Sequence, residues 1–219
     1  MSVLDTERIR ELLRLPITDP HSLRVTPLLS PDDQVKDDAV DIRLGSCFLV
    51  PRSEKRSTFV PGKTPGQDVA HRLHLPPGRE LILPGKGVVL ASTFEYIKMP
   101  VNVSAQVLTR SSIGRIFVTT ATATLVHPLY RGCLTLEIVN LGNASVELRV
   151  LSRIAQLQFS ETGIRSIATD EGTQPMAPDD KVTGRYAAAV EPEFSDFAGE
   201  SSEYARLLAF LPGTRDQDL

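Results

Sequence analysis

The sequence predicts a mostly β protein, a sandwich or barrel of short strands, with a short N-terminal helix and an extended C-terminal arm. Short apolar runs recur at about 8–12-residue spacing with Gly and Pro between them, as in all-β domains. One early segment has helical periodicity, and beyond Ser160 the periodicity gives way to Gly, Pro, Asp, Glu and Ser. We therefore predict a barrel domain with its helix over residues 1–160, and an arm or lid over residues 161–219.

Bulk properties indicate an ordinary globular protein. The chain has 219 residues, enough for one good core, with 41% hydrophobic and 23% charged residues. A formal net charge of −3 argues against nonspecific nucleic-acid binding, which needs a basic surface. No apolar run approaches the roughly 20 residues of a membrane span, and the charged N-terminus has no signal-peptide core. We expect a cytoplasmic protein without membrane or nucleic-acid partners.

The cysteines and histidines show no spacing typical of a metal centre. Cys47 and Cys133 each lie in a strand-like apolar run, so we expect buried free thiols. The sequence has no Cys-x-x-Cys, and the histidines at 21, 71 and 74 have no metal-ligand spacing. We therefore predict that the protein does not use zinc.

The first elements of the chain are predicted from apolar periodicity and from the positions of helix caps and prolines. Residues 4–14 form an amphipathic pattern that Asp5 or Thr6 can cap, with Ile9, Leu12 and Leu13 on its apolar face. Prolines then break the chain into an extended lead-in, and a strand is expected over residues 40–50. Asp41 and Arg43 are expected on the polar face of that strand; the alternative is that either one helps to shape a site.

Further strands are separated by turn residues, and a polar excursion occupies residues 51–68. Ile154, Leu157 and Phe159 are expected in the core, and residues 203–211 could form a short helix. Residues 72–75 alternate weakly, and the predicted strands are 80–84, 87–91, 94–100, 101–108, 133–139, 145–151 and 153–159.

Residues 110–115, Arg-Ser-Ser-Ile-Gly-Arg, have the chemistry of a phosphate-binding loop. Arg110 and Arg115 offer planar, bidentate donors, and Ser111 and Ser112 add hydroxyl and backbone donors. A plain surface loop is the alternative for this segment alone.

A single carboxylate interrupts the apolar run from Cys133 to Val139. Strict alternation places Thr135, Glu137 and Val139 on one face, with Leu134, Leu136 and Ile138 on the other. An anion-binding loop followed by a carboxylate on a buried strand suggests a nucleotide enzyme, although a solvated or salt-bridged Glu137 is the alternative.

The order and spacing of these segments resemble the dCTP deaminase and dUTPase superfamily, closer to the deaminase branch. Members carry Arg-Ser-Ser-x-x-Arg, then a hairpin that ends in Gly-x-x-x-Leu-Glu, then Asn-x-Gly. The corresponding segments here are residues 110–115, 122–137 and 139–142, preceded by the block Val-Asp-Ile-Arg-Leu-Gly at 40–45. The resemblance implies a distorted, jelly-roll-like β-barrel of the dUTPase type.

The resemblance also implies a reaction, the zinc-independent hydrolytic deamination of dCTP to dUTP and ammonia. Glu137 would be the general base, and a magnesium ion would be bound through the triphosphate. The implied partners are a pyrimidine deoxynucleoside triphosphate and two further copies of the chain, in a homotrimer with shared active sites. The nucleotide-binding residues implied are Arg110, Ser111, Ser112, Arg115, Thr122, Ala123, His127, Arg185 and Tyr186.

Three departures from the family pattern leave other functions open. His127 replaces an Asp before Pro128, which argues against pyrophosphate release of the dUTPase kind. Thr124 and Leu125 replace a His and an Arg that deaminases often carry, and Ala189 replaces a Gln in the arm. One alternative is an inactive paralogue that binds or senses a pyrimidine nucleotide; another is a deaminase of a modified nucleotide.

Overall fold

The computed structural model describes residues 2–52, 58–60, 63–120, 124–162 and 189–192. The chain divides into two compact units, Met1–Val50 with Arg72–Glu193, and Pro51–His71 with Phe194–Leu219. The second unit contains a short helix within the predicted polar excursion, where the backbone N–H of Arg52 donates to the Val69 carbonyl at 2.7 Å. Most of the predicted arm, including its helix at 203–211, lies outside the described residues.

Strands dominate the described residues, as predicted. The helices are α1 (Thr6–Arg14), α2 (Pro31–Gln34), α3 (Gly66–Val69) and α4 (Ser111–Gly114). The strands are β1 (Arg24–Thr26), β2 (Val35–Lys36), β3 (Ala39–Pro51), β4 (Ala70–His74), β5 (Glu80–Leu83), β6 (Val88–Lys98), β7 (Val103–Thr109), β8 (Val118–Thr119), β9 (Leu125–Val126), β10 (Arg131–Asn140), β11 (Val146–Arg149) and β12 (Arg153–Glu161).

The main sheet curls into a half-barrel, which confirms the predicted fold class. Its strand order is β8-β10-β6-β3-β12-β7-β9, and β1 adds to β6 while β5 and β11 form a separate pair. Sequence neighbours are mostly not sheet neighbours, so the strands that carry the candidate site meet only in the folded chain.

Helix α1 forms where the sequence predicted it. The Asp5 carboxylate accepts a hydrogen bond from the Arg8 N–H at 2.8 Å and so caps the first turn. Ile9 and Leu12 are buried, which fixes the helix against the core through its apolar face. The chain before the helix joins the barrel, because the Leu4 N–H donates to the Phe159 carbonyl at 2.9 Å.

Two sheet predictions need correction. The strands expected at 87–91 and 94–100 form the single long strand β6, because neither Gly nor Pro separates them. A register irregularity interrupts the pairing of β6 with β10, because residues 92–96 of β6 lie opposite the shorter segment 133–135 of β10. The sequence also missed β1, since its three residues lie between prolines in the lead-in.

The core is aliphatic, with Phe48 and Phe159 among its largest fully buried side chains. Ile154, Leu157 and Phe159 are all fully buried, as predicted from the alternation in this segment. Cys47 and Cys133 are buried free thiols. Among the described residues, no helix is both long and apolar enough to span a bilayer.

Candidate active site

The predicted phosphate loop begins where β7 ends and forms one helical turn. The Arg110 carbonyl accepts hydrogen bonds from the N–H groups of Ile113 and Gly114, each at 2.9 Å, and this closes the turn. Ser111, Ser112 and Arg115 are exposed, so their donors face solvent. The arrangement leaves hydroxyl and guanidinium groups available to an incoming anion.

A cluster of threonines joins the two ends of this loop. The Thr109 hydroxyl accepts the backbone N–H of Thr120 at 2.9 Å and lies 3.3 Å from the Thr119 hydroxyl. The side-chain hydroxyl of Thr120, a fully buried residue, also lies 3.2 Å from the Thr109 oxygen. The loop is therefore anchored on both sides by β7 and β8. Sequence reasoning missed this anchor because threonine is common in strands and carries no special signal.

Arg110 is oriented by a buried carboxylate. Its Nε lies 3.2 Å from Oδ1 of Asp41, and its guanidinium also donates to the Arg153 carbonyl at 3.3 Å. The second oxygen of Asp41 accepts from the Arg153 guanidinium at 3.3 Å, and the Asp41 side chain is only 8% exposed. These contacts engage part of the Arg110 fork and leave other N–H donors for a ligand.

The prediction that Asp41 and Arg43 lie on a solvated polar face was wrong, because both residues are buried. Residues 39–45 of β3 are buried throughout. Strand β12 pairs with residues 39–43, and the Gln34 side chain of α2 donates to the Asp41 carbonyl. Asp41 pairs with Arg110 of the predicted phosphate loop, and its role in shaping a site stays a prediction.

Arg43 belongs to a second buried cluster under the site. Its backbone N–H donates to Glu95 at 2.7 Å and its guanidinium lies 3.3 Å from the same carboxylate. Gln34 donates from its side-chain amide to Glu95 at 3.3 Å and to the Asp41 carbonyl at 3.0 Å. Burial raises the pKa of Glu95, which is fully buried, and the hydrogen bonds from Arg43 oppose that rise. The cluster connects β6 and α2 to β3, the strand that carries Asp41.

Glu137 lies on β10, and the burial of this strand follows the predicted alternation. Leu134, Leu136 and Ile138 are buried, while Thr135, Glu137 and Val139 are half-buried on the opposite face. Among the described residues, the Glu137 carboxylate has no hydrogen-bond or ion-pair partner. A half-buried carboxylate without a fixed partner is available to a water molecule and a substrate.

Strand β8 brings the phosphate loop alongside the end of β10. Val139 and Asn140 pair with Thr119 and Val118, and the Leu141 N–H donates to the Phe117 carbonyl at 2.7 Å. No hydrogen bond or ion pair links Glu137 directly to the loop within the described part of the chain.

The Asn-x-Gly turn that follows β10 is fixed by a buried amide. Asn140 donates from its side chain to the carbonyls of Leu83, Pro84 and Ala144 at 2.8–3.2 Å, and its oxygen accepts the Gly142 N–H at 3.0 Å. The fully buried Asn140 thereby connects β10 to the β5 and β11 side of the barrel. The sequence motif therefore marks a structural turn.

The hairpin between β8 and β10 is described only in part. Thr122, Ala123, Arg185 and Tyr186 lie outside the described residues, so their predicted roles stay predictions. His127 is exposed and its carbonyl accepts the Tyr130 N–H at 3.3 Å, which closes a turn at the base of the hairpin.

A short piece of the predicted arm contacts the beginning of β10. The Ala189 carbonyl accepts the Cys133 N–H at 2.7 Å, and Ala189 is buried. Gly132 has a φ of +150°, and a Cβ there would lie 2.9 Å from the Ala189 carbonyl oxygen and 3.0 Å from the Tyr130 hydroxyl. The glycine of the predicted hairpin motif is therefore required by close approach of the arm.

Comparisons with known proteins identify the family. The dCTP deaminase-like family model matches residues 3–162, and the chain belongs to this family. A dCTP deaminase of Halorubrum lacusprofundi is 35% identical over 191 residues, 83% of this chain and 91% of that protein. A dUMP-forming dCTP deaminase of Dictyoglomus turgidum is 35% identical over 138 residues, 63% of this chain and 71% of that protein. The predicted resemblance is confirmed.

A solved structure supports the fold. The 2'-deoxycytidine 5'-triphosphate deaminase from Agrobacterium tumefaciens has a TM-score of 0.55 and 25% identity over 74% of this chain. The match covers 48% of that protein, so this chain spans about half the length of that relative.

Proposed function

We propose that the chain hydrolyses dCTP to dUTP and ammonia, with Glu137 as the catalytic base. The observation that carries the proposal is the half-buried Glu137 carboxylate, free of partners within the described residues, on the strand next to the loop of Arg110. Glu137 takes a proton from a water molecule, and the resulting hydroxide attacks C4 of the cytosine ring. Glu137 then returns the proton to the amino nitrogen, the C4–N bond breaks and ammonia leaves.

The triphosphate is held by the loop of residues 110–115. Arg110 supplies donors from a guanidinium that Asp41 has already oriented, so less conformational entropy is lost on binding. The exposed side chains of Ser111, Ser112 and Arg115 supply further donors to phosphate oxygens. A magnesium ion held through the nucleotide would neutralise part of the charge of the triphosphate. The scheme includes no zinc, because the sequence has no Cys-x-x-Cys and its histidines have no metal-ligand spacing.

A nucleotide sensor without turnover is the second candidate function. Ala189 is buried against the beginning of β10, where the family pattern has a Gln, so this part of the arm contributes packing rather than a polar contact. The exposed His127 replaces an Asp that the family carries in the hairpin. Both features favour nucleotide binding without deamination. The changed hairpin is also compatible with deamination of a modified pyrimidine nucleotide.

The test is incubation with dCTP and magnesium, with ammonia measured enzymatically and the nucleotide product separated by chromatography. The proposal predicts equal amounts of ammonia and dUTP, whereas dUMP and pyrophosphate would show a further hydrolysis. Calorimetric binding of dCTP without ammonia would support the sensor instead. If dCTP neither binds nor reacts, a panel of modified cytidine nucleotides separates altered specificity from loss of function.

A further inference from the structure

Strands β7 and β8 lie far apart in the order of the sheet, and one threonine side chain links them. The sheet runs β8-β10-β6-β3-β12-β7-β9, so four strands separate β8 from β7. Within the described residues, no ladder of backbone hydrogen bonds joins β7 to β8. The hydrogen bonds described between β7 and residues 118–120 all involve the hydroxyl of Thr109, the last residue of β7. This side chain therefore bridges the two strands at the point where the phosphate loop begins.

The bridge depends on an oxygen acceptor at Thr109. The Thr109 hydroxyl accepts the Thr120 N–H at 2.9 Å, and it lies 3.2 Å from the Thr120 hydroxyl and 3.3 Å from the Thr119 hydroxyl. Thr120 is fully buried, so water does not reach its N–H in place of this acceptor. Since a buried donor without a partner is costly, loss of the Thr109 oxygen should displace the chain at Thr120.

Thr119 lies on the face of the sheet that carries Glu137. It pairs with Val139 of β10, and directly opposed residues of antiparallel strands share one face. Val139 and Glu137 are two residues apart on β10 and therefore project from the same face. Thr119 is thus a diagonal neighbour of Glu137, at about 7–8 Å. The Thr109 hydroxyl connects the start of the phosphate loop to the surroundings of the proposed base.

The phosphate loop keeps its internal shape through its own backbone. The Ser111 carbonyl accepts the Arg115 N–H at 3.0 Å, and the Gly114 carbonyl accepts the Phe117 N–H at 3.0 Å. These bonds do not involve the Thr109 side chain. Loss of the Thr109 hydroxyl should therefore change where the loop lies relative to β10, while the phosphate donors keep their arrangement within the loop.

We propose that Thr109 is a positioning residue, whose hydroxyl sets the placement of the phosphate loop relative to Glu137. The inference rests on the proposed function. A triphosphate bound at residues 110–115 fixes one end of the nucleotide, and C4 of the cytosine ring must then lie beside the water molecule that Glu137 activates. Misplacement of reacting groups by about 1 Å costs about 10²-fold in rate. Thr109 touches neither the substrate nor the water in this scheme and acts only through their alignment.

Thr109→Val is the test variant, because valine has the shape of threonine but no acceptor for the Thr120 N–H. Thr109→Ser keeps the hydroxyl. Thr93→Val is the matched control, since the hydroxyl of the buried Thr93 also accepts a backbone N–H at 2.9 Å, that of Leu134. For the native chain and each variant, ammonia release from dCTP gives kcat and KM, calorimetry gives the Kd of inorganic tripolyphosphate, and urea unfolding gives stability.

Thr109→Val should lower kcat about 10–100-fold and leave the Kd of tripolyphosphate within about twofold, because alignment is lost while the phosphate donors remain. Thr109→Ser should keep kcat within about threefold of the native value. Thr93→Val should lose stability as Thr109→Val does, yet keep kcat within about threefold. A purely structural role for Thr109 would lower stability without this selective loss of kcat.

Four results would overturn the inference: native kcat in Thr109→Val, an equal loss of tripolyphosphate affinity in that variant, an equal fall of kcat in Thr109→Ser, or an equal fall in Thr93→Val. If the native chain releases no ammonia, the proposed function fails and binding tests the inference by itself. Thr109→Val should then weaken dCTP at least tenfold more than tripolyphosphate. Equal weakening of the two ligands, or no binding of dCTP by the native chain, would overturn it.

Discussion

Replacing Asp41 with Asn tests whether this buried carboxylate prepares Arg110 for phosphate. The substitution keeps the shape of the side chain but removes the charge that pairs with Arg110 at 3.2 Å and Arg153 at 3.3 Å. Loss of one partner from a fully buried pair costs about 3–5 kcal/mol, and exposed pairs contribute about 0.2–1 kcal/mol. Both arginines are partly exposed, at 27% and 35%, so we expect a loss of about 2 kcal/mol in unfolding free energy.

The effect on the substrate is the more specific outcome. Without Asp41, Arg110 must be ordered by the ligand itself, and a weakened charged hydrogen bond is worth about 1.5–3 kcal/mol. We therefore expect the KM for dCTP to rise about tenfold or more, at about 1.4 kcal/mol per factor of ten, with a smaller change in kcat.

Steady-state kinetics and urea unfolding measure the two effects separately. Asp33→Asn is the matched control. Asp33 lines a polar cavity together with Asp41, Arg110 and Arg153, and among the described residues its carboxylate pairs only with the exposed Lys36, at 3.3 Å. It should change neither KM nor stability by more than a few tenths of a kcal/mol. Asp41→Asn with lower stability but an unchanged KM would refute the reasoning and leave Asp41 with a purely structural role.

Three stability predictions concern the frame around the site, each measured by urea unfolding. Gly132→Ala should cost more than 3 kcal/mol, because positive φ alone costs about 1–3 kcal/mol and its Cβ would also meet backbone; Gly78→Ala, also at positive φ but with open space around it, should show only the strain. Asn140→Ala should cost about 3 kcal/mol through lost hydrogen bonds of about 1 kcal/mol each, whereas the exposed Asn143→Ala should cost little; equal losses would contradict the account. Burial raises the pKa of Glu95, so protonation of Glu95 stabilises the folded state relative to the unfolded state. This contribution is complete below the unfolded pKa of about 4.3 and is lost as the pH rises through the folded pKa. The native chain should therefore lose stability relative to Glu95→Gln as pH rises from about 4 towards neutrality, and a parallel pair of pH profiles would contradict this.

Local patterns predicted the parts of the fold whose determinants are local. Helix α1 has its cap at Asp5 and its apolar face within nine residues, and the burial of β10 follows a two-residue period. Strand β6 was predicted as two strands because Ser92 and Thr93 separate its two apolar runs, and sequence alone does not show the irregular pairing with its partner strands at residues 92–96.

The site was predictable as a motif but not as a structure. Arg110 and Glu137 follow from residue chemistry and from the resemblance, and family membership is confirmed. The support beneath Arg110 was missed, because Asp41 and Arg153 are 112 positions apart and become neighbours only when β3 pairs with β12. Likewise, Arg24 and Arg131 flank Lys98 only because of strand register.

Ammonia release from dCTP by the native chain and by Glu137→Gln tests the central claim most directly. Glu147→Gln is the matched control, because Glu147 is an exposed carboxylate on β11 that pairs with Arg149 at 3.3 Å. We expect Glu137→Gln to lose about 10²–10⁴-fold in kcat while dCTP binding and stability are kept, since a general base typically contributes a factor of this size and the amide cannot accept the proton. Native-like ammonia release from Glu137→Gln, with Glu147→Gln equally active, would contradict the assignment of Glu137 as the base.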